Sequence, residues 1–412
     1  MNQTVAEETS RMAESPLLGV AALTTLAFRG DDFGELIAGL VERINQHVDD
    51  AAAWMDLAII HFLMHESEQA ETFQQQAMAL RQRYRQAFAP EAVTLRMLAV
   101  MGPGGMMDNL PLEFLLADGS IAMDMQWVRP GAVQLDNLDD YDLIFVAVGE
   151  SDRNAPLLAE LAEALRDCPL PVLNRPEHVM QTTREGAAQL LQDLPGVVMP
   201  PSVRVTRAQL QALAAAEEAT AQLRAMLPGA DFPVIVRPVE SHAGHGLLKV
   251  DQAADLLDYL AQQAEPLFYI SPFIDYASAD GQFRKYRVAL IEGEPYLCHL
   301  AISSHWMVHY LNADMVGDAV KCAEEAACMA DFAQGFGGQH AAAFAAIAEA
   351  MQLEYLILDC AESRDGRLLV FEVDTSAIVH AMDPEDIFPY KKLQMQKIFR
   401  AFQAMLQRKA GA

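Results

Sequence analysis

Three carboxylates near the end of the sequence are spaced for chemistry. Asp359 closes one apolar run, EYLILDCAE, and Glu372 and Asp374 stand two apart on the next, GRLLVFEVDT. Residues two apart on a strand leave the same face. The intervening Ser363-Arg364-Asp365-Gly366 is a hairpin turn that folds Asp359 back beside them. Like charges gathered on one face repel unless a cation lies between them. Hard oxygen ligands of this kind suit Mg²⁺, with Mn²⁺ an admissible substitute, completed by substrate phosphates. The competing expectation is that these acids only punctuate strand ends in an acidic chain.

Cations form the second set. In PVIVRPVESHAGHGLLKV an apolar strand delivers Arg237, whose guanidinium offers paired donors to phosphate. The loop that follows, with Ser241, His242, Gly244 and Gly246, is small enough for backbone N–H groups to close over phosphate oxygens. In FRKYRVALIEG, Lys285 and Arg287 alternate onto one face. They would hold a phosphate or a substrate carboxylate, or else pair with neighbouring acids. The segment CHLAISSHWMVHYLNADM then crowds His299, His305, Trp306, His309 and Tyr310 together. One helical turn would put His305 and His309 on one face, where a histidine can act as base on an amine. The alternative is a lobe surface with Trp306 and Met307 in the core. His380 and Asp383, just beyond Asp374, are further candidates for an acceptor site.

These residues sit in a chain of 412 with 29 Lys and Arg against 57 Asp and Glu, a net charge of −28. Such a field repels nucleic-acid backbones and anionic lipid surfaces, so neither is an expected partner. The five cysteines are scattered without a CxxC pair, which argues against a disulfide framework or structural zinc. A polar, acidic start and the lack of a long apolar run predict a cytoplasmic protein; a homodimer is compatible with the composition.

Three segments are expected. Residues 1–92 read as helical, with AAAWMDLAIIHFLMH and EQAETFQQQAMALRQRYR forming a hairpin that looks like one tetratricopeptide unit. Such a hairpin can offer a peptide groove or simply cap the next domain. Residues 93–200 alternate strands and helices, which predicts an α/β unit with a parallel sheet; one helix is expected over 177–195. The Gly102-Pro103-Gly104-Gly105 loop, at the end of its first strand, is read as substrate-facing. Residues 201–412 carry the cationic and acidic strands. An Ala-rich helical stretch over 318–351 and a basic C-terminal helix with a solvated charged face complete the chain.

The order of strand, Arg237 and Gly loop, FYISPFID, cationic strand and LILDCAESRDGRLLVFEVD resembles the ATP-grasp superfamily of carboxylate–amine ligases. Its members include D-alanine–D-alanine ligase, glutathione synthetase and the ribosomal-protein glutamate ligase. The family's metal motif is an Asp, a DG turn and then Glu-x-Asn; Asp359 and Glu372 match, and Asp374 stands in place of the Asn. Arg237 stands where the family usually has a phosphate-binding Lys. Ser271, Phe273 and Ile274 correspond to hinge residues that contact adenine, with Asp275 near the ribose, although the family's acidic or amide hinge residue is Ser or Pro here. Arg184, in MQTTREGAAQLL, matches a second phosphate-contacting base, and Arg287 the arginine beside the acyl phosphate. The resemblance implies an α/β domain over 93–200 followed by a two-lobed grasp over 201–412. It further implies ATP and Mg²⁺ as cofactors, and a small-molecule or peptide carboxylate and an amine as substrates. Lys285, Arg287, His305 and His309 are the expected catalytic group. The rival expectation is a non-catalytic nucleotide-binding adaptor that engages a protein through its helical segment.

Overall fold

The computed structural model describes residues 17–85, 92–239, 241 and 244–411. They form two compact units: the residues up to Met180 together with those from Thr375 onward, and Gln181–Asp374.

Among the described residues, the first unit starts with four helices, α1 (Gly19–Arg29), α2 (Gly34–Gln46), α3 (Ala51–Leu63) and α4 (Ser67–Leu80). Asp50 caps α3 by accepting the N–H of Ala53 at 3.0 Å. Helices α3 and α4 form the expected hairpin, and α1 and α2 both pack on α3. The second helix stops earlier than its apolar pattern suggests. Residues Arg83–Arg85 form β1 instead, because Tyr84 is buried and donates its hydroxyl to the Ala77 carbonyl at 2.9 Å. No repeat stacks on this hairpin among the described residues.

The α/β part of this unit comprises β2 (Leu95–Met101), α5 (Leu112–Leu115), β3 (Ile121–Trp127), β4 (Leu143–Val146), α6 (Ala155–Ala164), β5 (Val172–Leu173) and α7 (Pro176–Val179). The strand order is β1-β3-β2-β4-β5, with every neighbour parallel except β1. Both faces of β4 and of β2 beyond the exposed Arg96 are buried, which is why their sequences run apolar there rather than alternating.

The continuous helix expected over 177–195 is broken. After α7 comes a 3₁₀ turn, Met180–Thr182, and then α8 (Arg184–Leu191) in the second unit. Thr183 starts this helix by accepting the Gly186 N–H at 2.9 Å, a local competition that propensity alone does not reveal.

The second unit holds two sheets. After β6 (Val197–Val198) come β7 (Val203–Thr206), α9 (Arg207–Ala214), α10 (Ala219–Met226), β8 (Val234–Pro238), β9 (Leu248–Val250), α11 (Asp255–Gln262) and β10 (Leu267–Pro272). The four-stranded antiparallel sheet runs β7-β10-β8-β9. Leu210, Leu213, Leu223, Leu256 and Leu260 from its helices pack with Val234, Val236, Phe268 and Ile270 from its strands. The chain continues through β11 (Phe283–Ile291), β12 (Glu294–Ser303), α12 (Ala319–Asp331), α13 (Phe336–Gln339), α14 (Ala341–Met351), β13 (Tyr355–Glu362) and β14 (Leu368–Asp374). This second sheet is ordered β12-β11-β13-β14-β6 and is antiparallel apart from β6.

The chain then returns to the first unit through α15 (Lys391–Ala410), which packs against α5 and β4. The units therefore cross the boundaries expected at 92/93 and 200/201. The helix is not a wholly solvated basic face either. Lys391 is 2% exposed, with its ammonium 4.5 Å from the Phe388 ring centroid and 3.4 Å from Asp383. No helix among the described residues is long and apolar enough to cross a membrane.

Candidate functional site

The second unit's five-stranded sheet places four polar side chains on one rung. His299 on β12 is the Cα partner of Arg287 on β11, Arg287 that of Asp359 on β13, and Asp359 that of Glu372 on β14. Each pairing comes from antiparallel register, so the hairpin turn at Ser363–Gly366 fixes which acid faces which. The Gly366 N–H closes that turn on the Ser363 carbonyl at 2.9 Å, and Gly366 has φ 79°, where glycine is unstrained. Asp359 lies inside its strand and is buried, not at the strand end as expected. Register irregularities next to Arg287 and Asp359 locally re-aim the strands.

Cations hold the acids. Arg287 donates to both oxygens of Asp359, at 2.8 and 3.0 Å, and Lys285 Nζ lies 2.7 Å from Oδ2. Burial would raise the Asp359 carboxyl, but Arg287 and Lys285 hold it well below the usual carboxylate range. Burial likewise disfavours a charged Arg287, and Asp359 reverses that. Arg184, the first residue of α8, donates to Glu372 Oε1 at 2.6 Å and to the Phe371 carbonyl at 3.3 Å. Burial pushes the Glu372 carboxyl up; Arg184 and Arg237 pull it below its ordinary value. Asp374 acts on Arg287 from two residues farther along β14.

Arg237 belongs to the other sheet of the same unit and turns back into its own loop. It donates to Ser241 Oγ at 3.0 Å and to the Ser241 carbonyl, while Ser241 donates to the Pro238 carbonyl at 2.9 Å. Burial and the nearby Arg184 charge lower Arg237 to about 10. Gly244 and Gly246 both have positive φ; a Cβ on Gly244 would meet Met307 Sδ at 2.9 Å, and one on Gly246 would meet Pro238 at 2.7 Å. The loop thus needs glycine for close packing. His242 lies outside the described residues.

The hinge segment is engaged as well. The Phe273 ring is edge-on to Trp306 at 5.6 Å, and Lys249 Nζ lies 5.1 Å from its centroid. Lys249 was not picked out from the sequence, although its alternation in LLKV was the available signal. Ser271 lies on β10 opposite Ile235, and Ile274 is half-buried. Asp275 is exposed and paired with Arg364 at 2.7 Å.

The histidines separate. Residues 304–309 do not form the helical turn expected of them, and His305 is exposed. His309 is half-buried, and burial together with Lys285 and Arg287 lowers its pKa. Arg284, on the opposite strand face, is committed to Asp280 at 2.8 Å and Glu324 at 2.5 Å. His380 and Asp383 belong to the first unit, where His380 sits among the rings of Phe28 and Phe114. The Gly102–Gly105 loop there is not an open cradle either. The N–H groups of Gly102, Gly104 and Gly105 already donate to Asn109, Gln74 and Asp108.

On the same geometry, two of the three acids expected to hold a metal, Asp359 and Glu372, are paired with cations. Asp359, Glu372 and Asp374 are right in kind for a hard divalent ion, but ammonium and guanidinium groups occupy both oxygens of Asp359 and Oε1 of Glu372. No group of three His, Cys, Asp or Glu side chains among the described residues is arranged to hold a metal. As the side chains stand, they do not fit one.

No family model matches this sequence, and no curated protein does. Among solved structures, the chain is similar to the VanG D-Ala:D-Ser ligase from Enterococcus faecalis, with 13% identity, 76% of this chain and 99% of that chain covered, and a TM-score of 0.47. It is also similar to a RimK domain ATP-grasp protein from Sphaerobacter thermophilus, with 17% identity, 77% and 100% covered, and a TM-score of 0.40. Likenesses of this size leave substrate and mechanism to the residues themselves.

Proposed function

We propose that the second unit is an ATP-grasp-type ligase that uses ATP to activate a carboxylate and joins it to an amine. One observation carries the reading: Arg184, Arg237, Lys285 and Arg287 gather around one acidic rung in a chain whose net charge is −28. Ordinary solubility does not call for partly buried cations concentrated in so acidic a chain. A triphosphate is the ligand that four fixed cations suit, since catalysis of phosphoryl transfer depends mainly on positioning and charge.

In the proposed reaction a substrate carboxylate oxygen attacks the γ-phosphorus, and ADP leaves with the electron pair of the broken P–O bond. The amine then attacks the acyl carbon, phosphate departs, and the nitrogen loses a proton. Arg287 and Lys285 neutralise the transferring group, while Arg184 and Arg237 hold the remaining phosphates. His309, whose neutral form is favoured, can accept the proton. The segment Ser271–Asp275 is the proposed nucleoside contact. Both a small amide and a modified peptide fit as products.

The test is calorimetric titration of ATP into wild type, Arg287→Met and Arg237→Met, followed by an assay for ADP release with acid and amine mixtures. Losing one charged hydrogen-bonding partner should weaken ATP binding by roughly 10–100-fold. A wild type that binds no ATP rejects the reading. ATP binding without ADP release under any substrate mixture would favour the non-catalytic adaptor.

A further inference from the structure

Helix α1 of the first unit has no cap of its own: the Leu18 side chain makes no capping hydrogen bond. The first N–H groups of a helix carry partial positive charge and need acceptors. Two other elements supply them. Asp56 of α3 accepts the N–H of Leu18 at 3.0 Å and that of Gly19 at 3.1 Å, and Glu113 of α5 accepts that of Val20 at 3.0 Å. Asp56 is 0% exposed and Glu113 8%. Gly19 has φ +84°, a left-handed conformation that strains any residue with a Cβ, and a Cβ there would also lie 2.7 Å from Glu113 Oε1.

Farther along, α1 touches segments at the carboxyl ends of the parallel strands. Thr24 Oγ1 donates to Met106 Sδ at 3.6 Å, Thr25 Oγ1 to Met382 Sδ at 3.4 Å, and the Phe28 ring lies 5.6 Å from that of His380. Met106 belongs to the loop after β2. That loop is knitted to the one after β4, where the Gly149 N–H donates to the Asp108 carbonyl at 2.9 Å, and to the return segment, where Ser376 donates to the Met107 carbonyl at 3.1 Å. Open parallel sheets bind ligands at this edge.

We propose that α1 is a releasable strap across the carboxyl edge of the first unit's sheet, held at its N-terminus by Asp56 and Glu113. The proposal stands independently of ATP chemistry in the second unit. The hold is proton-dependent. Burial raises both carboxyls to about 7 against the lowering effect of the N–H bonds. Arg43 and Asp50 also act on Asp56, in opposite directions, and the Tyr84 hydroxyl lies in its field. The docked strap therefore binds protons more tightly than the open one. Its extra stability is complete below the ordinary carboxyl values near ~4 and is lost as the pH rises through about 7. Within that window each carboxyl changes the opening constant by about tenfold per pH unit.

The test is hydrogen exchange of the full chain from pH 5 to 8, corrected for intrinsic rates, with the α4 peptide as internal reference. Protection of residues 20–29 should fall relative to α4 as the pH rises, and the double variant Asp56→Asn, Glu113→Gln should flatten that dependence. Gly19→Ala, which places a methyl against Glu113, should release α1 even at pH 5 while α4 stays protected. Hydroxyl-radical labelling of Met106 and Met382 should increase as α1 is released. Protection of α1 that parallels α4 at every pH, or a Gly19→Ala chain that keeps it, would overturn the pin. Release without increased labelling of Met106 and Met382 would overturn the strap's place over the edge.

Discussion

At the residue scale, the second unit's site is a balance between buried acids and the cations that neutralise them. Asp359 has a side chain 5% exposed and serves Arg287 and Lys285 at once. Removing one partner of a buried pair leaves uncompensated charge and costs about 3–5 kcal/mol. Asp359→Asn should therefore destabilise the second unit by about that amount in urea unfolding, far more than Arg364→Ala at the exposed Asp275 pair. The carboxyl is held below its ordinary value, so its contribution is present above pH ~4 and fades only as the pH falls toward the lowered value. The wild type should thus lose second-unit stability below that point more steeply than Asp359→Asn. Residue types and spacing made Asp359, Glu372, Lys285 and Arg287 legible in the sequence, and antiparallel register brought all four together. Which acid would pair with which cation was not legible. Asp359 can ligate a metal or accept hydrogen bonds from an arginine or a lysine, and only side-chain reach across β11 and β13 decides among them.

At the element scale, apolar runs and turn residues specify most strands directly. VTLRMLAVMG, YDLIFVAVGE and the hairpin around Gly366 each fold where pattern places them. Failures of pattern occur where one side chain interrupts a run: Thr183 starts a new helix inside 177–195, and Tyr84 pulls the end of a helical pattern into β1. The destination of α15 was also hidden, because an amphipathic helix declares its apolar face but not its partner. Phe402 is fully buried and meets Phe145 of β4 at 5.6 Å. Phe402→Ala should cost about 3–5 kcal/mol. Hydrogen exchange should register the loss in β2 and β4 and leave β11 and β13 unchanged.

At the scale of the whole molecule, the two units hold their carboxyls in opposite senses. In the first, burial raises Asp56, Glu113 and Asp383 to between about 6 and 7; in the second, cations lower Asp359 and Glu372. Acidification from pH 7.5 to 5.5 should raise the urea midpoint of the first unit, whose folded carboxyls take up protons in that range, and lower that of the second, where burial holds His309 and His340 below the ordinary histidine value so that the unfolded chain takes up the protons. Segment-resolved exchange in urea reads the two separately. The path of the chain adds a constraint in time. Because it leaves the first unit at Met180 and re-enters at Thr375, Phe145 waits for Phe402 until about 250 further residues have been made, roughly 10–50 s at ribosomal speed. During synthesis the later-made unit can finish folding while the earlier one still lacks its last helix. The first unit's core is therefore exposed to chaperones and proteases until α15 has been made.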